Sequence, residues 1–408
     1  MNQGRKNYMQ FSHSEGLMPK EEMLEVKRGR SRLTIGIPRE TSHQERRLGL
    51  VPEAVHLLVQ NGHTVIIEAE AGTGARFKDD DYSEAGAQVV YSAPEVYQAD
   101  IILKVAPPTD EEIELMKEKQ TIFSALHLSN RDSGFFRAMM RKKITAFAHE
   151  YIKDQFGSYP VRRTISEIVG NASIMIAARY LSDPDYGKGN MLGGFSGISP
   201  TEVVIIGAGT VAENAARVAL GMGATVKVFD DSIYRLRRLQ VNIQHRIFTS
   251  IIQPKVLMNA LRSADIVIGA IHSIQGKTPV VISETMVREM KAGAVIIDVS
   301  IDQGGCVESS KITTHQNPVF KKYDVIHYCV PNIASQVPHT ASYALSNFFT
   351  PALLSIGDEG GVDNFIRRDH GLCKGVYLFK GILTNKNISD LFDLPFQDID
   401  LLLAAFHG

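Results

Sequence analysis

The sequence predicts an α/β protein of two domains with a cleft between them, and three observations lead there. At 408 residues the chain is longer than one hydrophobic core comfortably organises. From Leu33 onward, short apolar β-rich runs alternate with helical stretches, the pattern of βαβ units around a mainly parallel sheet. A second series of the same alternation begins at Thr201, after a glycine-rich loop.

The elements follow in order. Residues 1–32 form a polar extension, with a short helix expected at MPKEEMLEVKR. RLTIGIP reads as a strand, PEAVHLLVQNG as a helix stopped by glycine, and HTVIIEAEAG as a strand. DDDYSEAGAQVV, DIILKV, TIFSALHL and ITAFAHEYI continue the alternation. RTISEIVGNASIMIAARYL (163–181) is a long helix and the expected hinge, and YGKGNMLGGFSGISP follows it as a loop. The second series runs through TEVVIIGAG, ATVKVFDD, ADIVIGAI, GAVIIDVSI and DVIHYCV. From about Val337 the chain reads as largely helical (TASYALSNFFTPALLSIG) with a looser tail. The expected division is 33–160 with 338–408 as one domain and 161–337 as the other.

Composition narrows the function classes. The chain is 44% hydrophobic and 22% charged with a formal net charge of -1, which offers no electrostatic footprint for nucleic acid or an anionic membrane. RLRRL at 235–239 reads as a solvated helix face. The N-terminus has no apolar core of the signal-peptide kind, and no stretch approaches the ~18 apolar residues of a membrane span. Three cysteines (Cys306, Cys329 and Cys373) without paired spacing fit a reducing cytoplasm better than a disulfide scaffold.

The strongest single motif is VVIIGAGTVAENAARVALGMGATVKVFDD. Gly207, Gly209 and Ala212 supply the G-x-G-x-x-A form of a dinucleotide fingerprint directly after a strand. The first glycine permits the tight turn, the second lets backbone approach a pyrophosphate, and the small third residue lets helix and strand pack closely. The helix N-terminus then offers free N–H groups to the anion. Asp230 ends the next strand, where its carboxylate accepts from ribose hydroxyls, which favours NAD over NADP, and Asp231 beside it repels a 2′-phosphate further. Arg235 runs the other way, since a nearby arginine accommodates that phosphate. The fingerprint makes the fold expectation specific: Rossmann-like, doubly wound domains.

Other polar residues sit where apolar strands end. Lys104 terminates DIILK and His127 lies inside FSALHL, and both are costly to bury without partners. Taken singly, Lys104 reads as a solvated strand end and His127 as a satisfied core histidine. In VIIDVSIDQGG, Asp298 interrupts the apolar run and reads as structural, whereas Asp302 lies beyond the strand, before Gly304 and Gly305. The two glycines are expected to let the backbone pass close to a nicotinamide ring.

Together GIPRETSHQERRLGLVPEAV, DIILKV, FSALHL, SEIVG, the fingerprint, VIIDVSIDQGG and HYCVPNIASQVPHTASYALSN resemble the alanine dehydrogenase family, in its order and spacing, over some nine-tenths of the chain. The resemblance implies NAD-dependent, reversible oxidative deamination of L-alanine to pyruvate and ammonia in the cytoplasm, by a homo-oligomer, commonly a hexamer. It places Arg47 on the substrate carboxylate, with Arg46 as the competitor, and Lys104 near the carboxylate and carbonyl. It makes His127 and Asp302 the acid/base pair, and brings Ser166, Asp230, Arg235, Val330 and Asn332 to NAD. No His/Cys/Asp spacing argues for a catalytic metal. The related transhydrogenase α-subunits share part of the pattern, so a soluble NAD(H)-binding subunit of that type, or a weakly catalytic NAD-binding regulator, are the alternatives. The chain departs from the family at VAPP after Lys104, at HLSN, at IHSIQGKTP and at VPNIAS.

Overall fold

A computed structural model describes residues 30–41, 44–128, 131–273 and 277–405. The helix expected at MPKEEMLEVKR lies outside the described residues.

Fifteen strands among the described residues form two principal sheets. The first is built from β1 (Thr34–Ile37), β2 (Thr64–Glu68), β3 (Gln88–Val90), β4 (Ile101–Leu103), β5 (Thr121–Ser124) and β6 (Thr145–Ala148). The second holds β7 (Glu202–Ile206), β8 (Thr225–Asp230), β9 (Phe248–Ile251), β10 (Ile266–Gly269), β11 (Val295–Asp298), β12 (Val319–Lys322) and β13 (Val325–Tyr328). Late in the chain, β14 (Val376–Phe379) and β15 (Ile382–Leu383) return to the first sheet. The orders are β15-β14-β6-β5-β4-β1-β2-β3 and β12-β13-β11-β10-β7-β8-β9. Strands β1 to β6 run parallel, β14 runs against them, and β15, antiparallel to β14, runs with them again; in the second sheet only β12 reverses. The predicted α/β architecture of two doubly wound sheets is therefore the observed one.

The central strands are largely apolar because both faces of each sheet are covered there. IIL of β4, TIFS of β5 and TAFA of β6 are buried at every position, as are VIID of β11 and VIHY of β13. Parallel strands buried on two faces read as continuous apolar runs. Separate cores lie on the two sides of each sheet, around Leu103, Phe123 and Phe349 on one and Ile122, Phe136 and Ala146 on the other for the first. In the second sheet, Val203 and Ile297 mark one core and Val204 and Ile296 the other.

The long helix between the sheets spans Pro160–Ser182, with Pro160 at its first turn, where a missing N–H costs nothing. It lies so close to helix Thr210–Gly221 that a Cβ on Gly170 would stand 2.4 Å from the Val211 carbonyl oxygen. Helix Pro338–Asp358 leads back to the first sheet and packs Leu345, Phe349, Leu353 and Ile356 into its core. Ser342 and Ser346 of this helix accept the backbone N–H groups of Leu48 and Val51 at 2.9 and 3.2 Å. The tail is not the loose helical segment expected, because VYLF is fully buried and pairs antiparallel with β6. A four-residue apolar run is too short for periodicity to separate strand from helix.

Candidate active site

Each sheet reverses its strand order once, between β1 and β4 in the first and β7 and β10 in the second. Ligands of doubly wound sheets bind at such switch points, outside the carboxyl ends of the strands. Arg47, Lys104, His127, the fingerprint, Asp302, Val330 and Asn332 all follow carboxyl ends of parallel strands.

In the first sheet, residues beyond β1 and β4 build a buried ionic cluster. Lys104, 1% exposed, follows directly on β4 and is neither a solvated strand end nor unpartnered. Its Nζ lies 3.1 Å from Glu40 and 2.9 Å from Glu112. Burial alone would lower its pKa, but the two carboxylates outweigh it and hold the pKa above the usual lysine value. Glu112 is placed by its own helix, where it forms a capping box with Thr109. Glu40 Oε1 also accepts the Val105 N–H at 2.6 Å, and burial pushes its pKa up in spite of Lys104.

Arg47 is buried beside this cluster, whereas Arg46 is exposed. Glu45 grips Arg47 side-on, with Oε1 2.8 Å from Nε and Oε2 2.6 Å from Nη2. The pair drives the Glu45 pKa down to about 2, against the upward pull of burial. The bidentate geometry uses one edge of the guanidinium and leaves Nη1 outside it.

The second sheet reaches the same place through Asn332, a left-handed residue at φ 60°. Its side-chain amide donates to Glu45 Oε2 at 2.7 Å, and its backbone N–H serves the carboxylate of Asp302. Asp302 sits in the short turn Val299–Gln303 after β11, exposed to the cleft yet crowded by its walls. That crowding pushes its pKa up to about 6, while Asn332 and the charge of Arg47 pull it down. Arg47 and Asp302, 255 positions apart, thus come within electrostatic reach of each other, with Asn332 beside both.

His127 lies beyond β5 and exposed, not inside a strand as its run suggested. Its backbone is left-handed at φ 47°. Glu150, which follows β6 next to His149, accepts the backbone N–H groups of Leu126 and His127. His149 is buried and its pKa is pushed down to about 4 by burial, with a smaller push from the Arg47 charge.

Asp298 has no place in the cleft. Its buried carboxylate accepts the N–H groups of Ser300, Cys306 and Val307 and the hydroxyl of Ser310, at 2.7 to 3.4 Å. It closes the turn after β11. This also accounts for Gly305: at φ 83°, a Cβ there would stand 2.7 Å from Asp298 Oδ2. The glycine is required by the turn itself, so access to a ring is not needed to explain it.

The nucleotide half is open. Gly207 takes φ 105°, and a Cβ there would meet the Ala270 carbonyl oxygen at 2.4 Å. A Cβ on Gly209 would meet nothing within 4 Å, so this position faces free space, as a backbone approached by a pyrophosphate must. Helix Thr210–Gly221 starts there with no side-chain cap, and Ala212 is fully buried in the packing of helix on sheet. Asp230 ends β8, with Oδ2 accepting the Ala208 N–H and Oδ1 the Ser232 N–H, both at 2.7 Å. Arg235 covers it with Nε at 2.9 and 3.1 Å, and also pairs with Asp231. Val330 is buried at the end of β13, and Ser166 lies one turn before Gly170 on the helix face that meets the fingerprint helix. These groups fit a dinucleotide.

Sequence reading missed Glu40, Glu45, Glu112, His149 and Glu150 as parts of the site. Glu40 and Glu45 stand in the quoted PRETSHQERRL run. The signal that could have found them is the rule that a buried cation needs carboxylate partners.

Two family models match, the N-terminal domain of "Alanine dehydrogenase/PNT" over residues 36–169 and its C-terminal domain over residues 173–386. Alanine dehydrogenase of Staphylococcus saprophyticus is 38% identical over 372 residues, 91% of this chain and 100% of that protein. Alanine dehydrogenase 2 of Staphylococcus aureus is 37% identical over 369 residues, 90% of this chain and 99% of that protein. A solved L-alanine dehydrogenase superposes with TM-score 0.82 at 36% identity, covering 88% of this chain and 99% of the other. The transhydrogenase of Sinorhizobium meliloti, at TM-score 0.74 and 21% identity over 86% of this chain and 99% of its own, shares the fold. The chain belongs to the alanine dehydrogenase/PNT family.

Proposed function

We infer that the protein catalyses the reversible NAD-dependent oxidative deamination of L-alanine to pyruvate and ammonia. The observation that carries this reading is the bridge that Asn332, from the second sheet, makes to Glu45, the clasp of Arg47 in the first, in a chain that also holds a dinucleotide fingerprint. Full-length similarity to alanine dehydrogenases supports it.

The cofactor, when bound, supplies a hydride acceptor. The fingerprint backbone from Gly207 to Ala212 would cradle its pyrophosphate. Asp230 would take the adenosine ribose hydroxyls, which makes NAD the cofactor. Ser166, Val330 and Asn332 would line its path, and Arg235 would fold over the adenosine end.

Arg47 would hold the substrate carboxylate through the guanidinium edge that Glu45 leaves open. Lys104 donates to Glu112 and is ion-paired with Glu40, and an ammonium N–H beyond these would serve the substrate. Hydride loss from Cα leaves an iminium. His127 and Asp302 handle the protons that follow: one is removed from the attacking water, and one is delivered as the carbinolamine collapses. Alanine, NAD and water thus become pyruvate, ammonium, NADH and one proton. With its pKa near 6, Asp302 is mostly ionised at neutral pH and close to the working range of a general base.

We assign residues 33–160 with 338–408 to the substrate domain and 161–337 to the nucleotide domain. Among the described residues, no helix is long and apolar enough to cross a membrane. The proposed setting is the cytoplasm and the proposed assembly a homo-hexamer. Following NADH absorbance with NAD and small L-amino acids, and in reverse with pyruvate and ammonium, tests the reading. Silence in both directions would overturn it.

A further inference from the structure

Glu150 has no step in the reaction above, yet it sits where the position of His127 is made. Strands β5 and β6 are parallel neighbours, with Ser124 opposite Ala148. Both strands end at that pair, so Ala125 to His127 and His149 to Tyr151 leave the sheet side by side. Glu150 Oε1 then accepts from two successive backbone N–H groups, Leu126 at 2.8 Å and His127 at 3.4 Å. His127 is held at φ 47°, a left-handed conformation that is strained for a non-glycine residue. Successive N–H groups converging on one anionic oxygen form a nest, which offsets that strain.

The second oxygen of Glu150 faces His149. His149 Nε2 lies 3.2 Å from the Val105 carbonyl oxygen. A carbonyl only accepts, so Nε2 carries the proton and Nδ1 is a lone pair. Nδ1 stands 3.8 Å from Glu150 Oε2, and both atoms are buried without a hydrogen-bond partner. Two acceptors therefore face each other behind the loop that carries His127.

We propose that Glu150 is the positioning residue for His127: its Oε1 fixes the backbone that sets the imidazole in the cleft, and the carboxylate carries no proton in the reaction. The proposal rests on reading His127 as part of the acid/base pair.

The facing acceptors supply a discriminating set of variants. Glu150→Gln keeps an oxygen for the two N–H groups, and its amide N–H₂ can donate across the gap to His149 Nδ1. Glu150→Asp keeps the charge but withdraws the acceptor by one methylene. Glu150→Ala removes the acceptor. Steady-state kinetics on the full-length enzyme should rank kcat as parent, then Gln, then Asp, then Ala. The Gln variant should stay within about threefold of the parent, and the Ala variant should fall by ~10²-fold, the cost of a misplacement near 1 Å. KM for L-alanine and for NAD should move by less than about threefold in all of them.

A Gln variant that turns over worse than Asp would overturn the proposal and make Glu150 an ionised participant. An Ala variant with parental kcat would also overturn it. Should the Ala variant fail to fold, the order of Gln and Asp decides alone. His127→Ala, assayed beside them, separates the premises: parental turnover there sinks the reading of His127, whereas a dead His127→Ala with unaffected Glu150 variants sinks only the positioning role.

Discussion

Six parallel strands follow the same order in the two sheets, β6-β5-β4-β1-β2-β3 and β13-β11-β10-β7-β8-β9, and offer opposite chemistry at the same edge. Beyond β1 and β4, the first sheet presents charges held by charges: Lys104 between Glu40 and Glu112, and Arg47 clasped by Glu45, all buried. Beyond β7, the second sheet presents backbone around glycine and open space. A small substrate must be oriented through two or three contacts, which rewards side chains locked in place before it arrives. A long cofactor spreads its binding over many groups, so N–H donors and room suffice. Asp302 belongs to neither pattern. It follows β11 of the second sheet, yet it feels the charge of Arg47 from the first.

The largest effect should come from that junction. Asp302→Asn is isosteric and keeps an acceptor for the Asn332 N–H, so fold and NAD affinity should survive. Turnover should fall by about 10³-fold, within the span of general acid–base contributions. Isothermal titration with NAD beside steady-state kinetics separates the two readouts, and loss of both would return Asp302 to a structural role. The pH profile sharpens the same point. The carboxylate is the base only when ionised, so kcat/KM for alanine oxidation should rise as pH climbs through about 6 and flatten above it. The Asn variant should lack that limb.

Next comes the ionic cluster itself. Lys104→Met leaves Glu40 and Glu112 buried without their cation, and removing one partner of a buried pair typically costs about 3–5 kcal/mol. Chemical denaturation measures it. Adding Glu40→Gln and Glu112→Gln to the same chain should recover most of that stability without recovering turnover. Full recovery of turnover would show that the first half works by shape alone.

The open half should answer differently, at two glycines only two residues apart. Gly207→Ala meets a backbone oxygen at 2.4 Å and a positive φ, so it should cost stability, about 1–3 kcal/mol from φ alone. Gly209→Ala meets no protein atom, so the fold should stand unchanged while KM for NAD rises about tenfold, roughly 1.4 kcal/mol of lost binding. Equal effects at both positions would mean that the space beside Gly209 is not where the pyrophosphate lies.

How much of this the sequence could tell follows the same division. The strand, turn and helix of the fingerprint were legible, because they and Asp230 lie within about 30 positions and their spacing carries the geometry. The separation of Asp298 from Asp302 was legible too, since one lies inside the apolar run and the other beyond it. The ionic cluster was not. Glu112 meets Lys104 only after a loop and a helical turn, and Asn332 meets Glu45 across 287 positions. His127 was misplaced for a related reason: FSALHL is apolar enough to read as one strand, and only the carboxylate of Glu150 on the neighbouring segment shows that the backbone leaves the sheet after Ser124. The return of β14 to β6 is non-local in the same way.

The smallest expected effect lies at the edge of the open half. Arg235 is half-exposed and its pKa is held up chiefly by hydrogen bonding to Asp230. Asp230, by contrast, is fixed by two backbone N–H groups that belong to the turns around it. Arg235→Ala therefore removes a cover while leaving the carboxylate where it stands, and KM for NAD should shift by no more than about threefold, under 1 kcal/mol. Its effect on NADP decides what the arginine is for. With Arg235 gone, a 2′-phosphate faces Asp230 and Asp231 with no local cation, so NADP turnover should weaken more than NAD turnover. An Ala variant that gains NADP activity would mean that Arg235 excludes the phosphate by occupying its place.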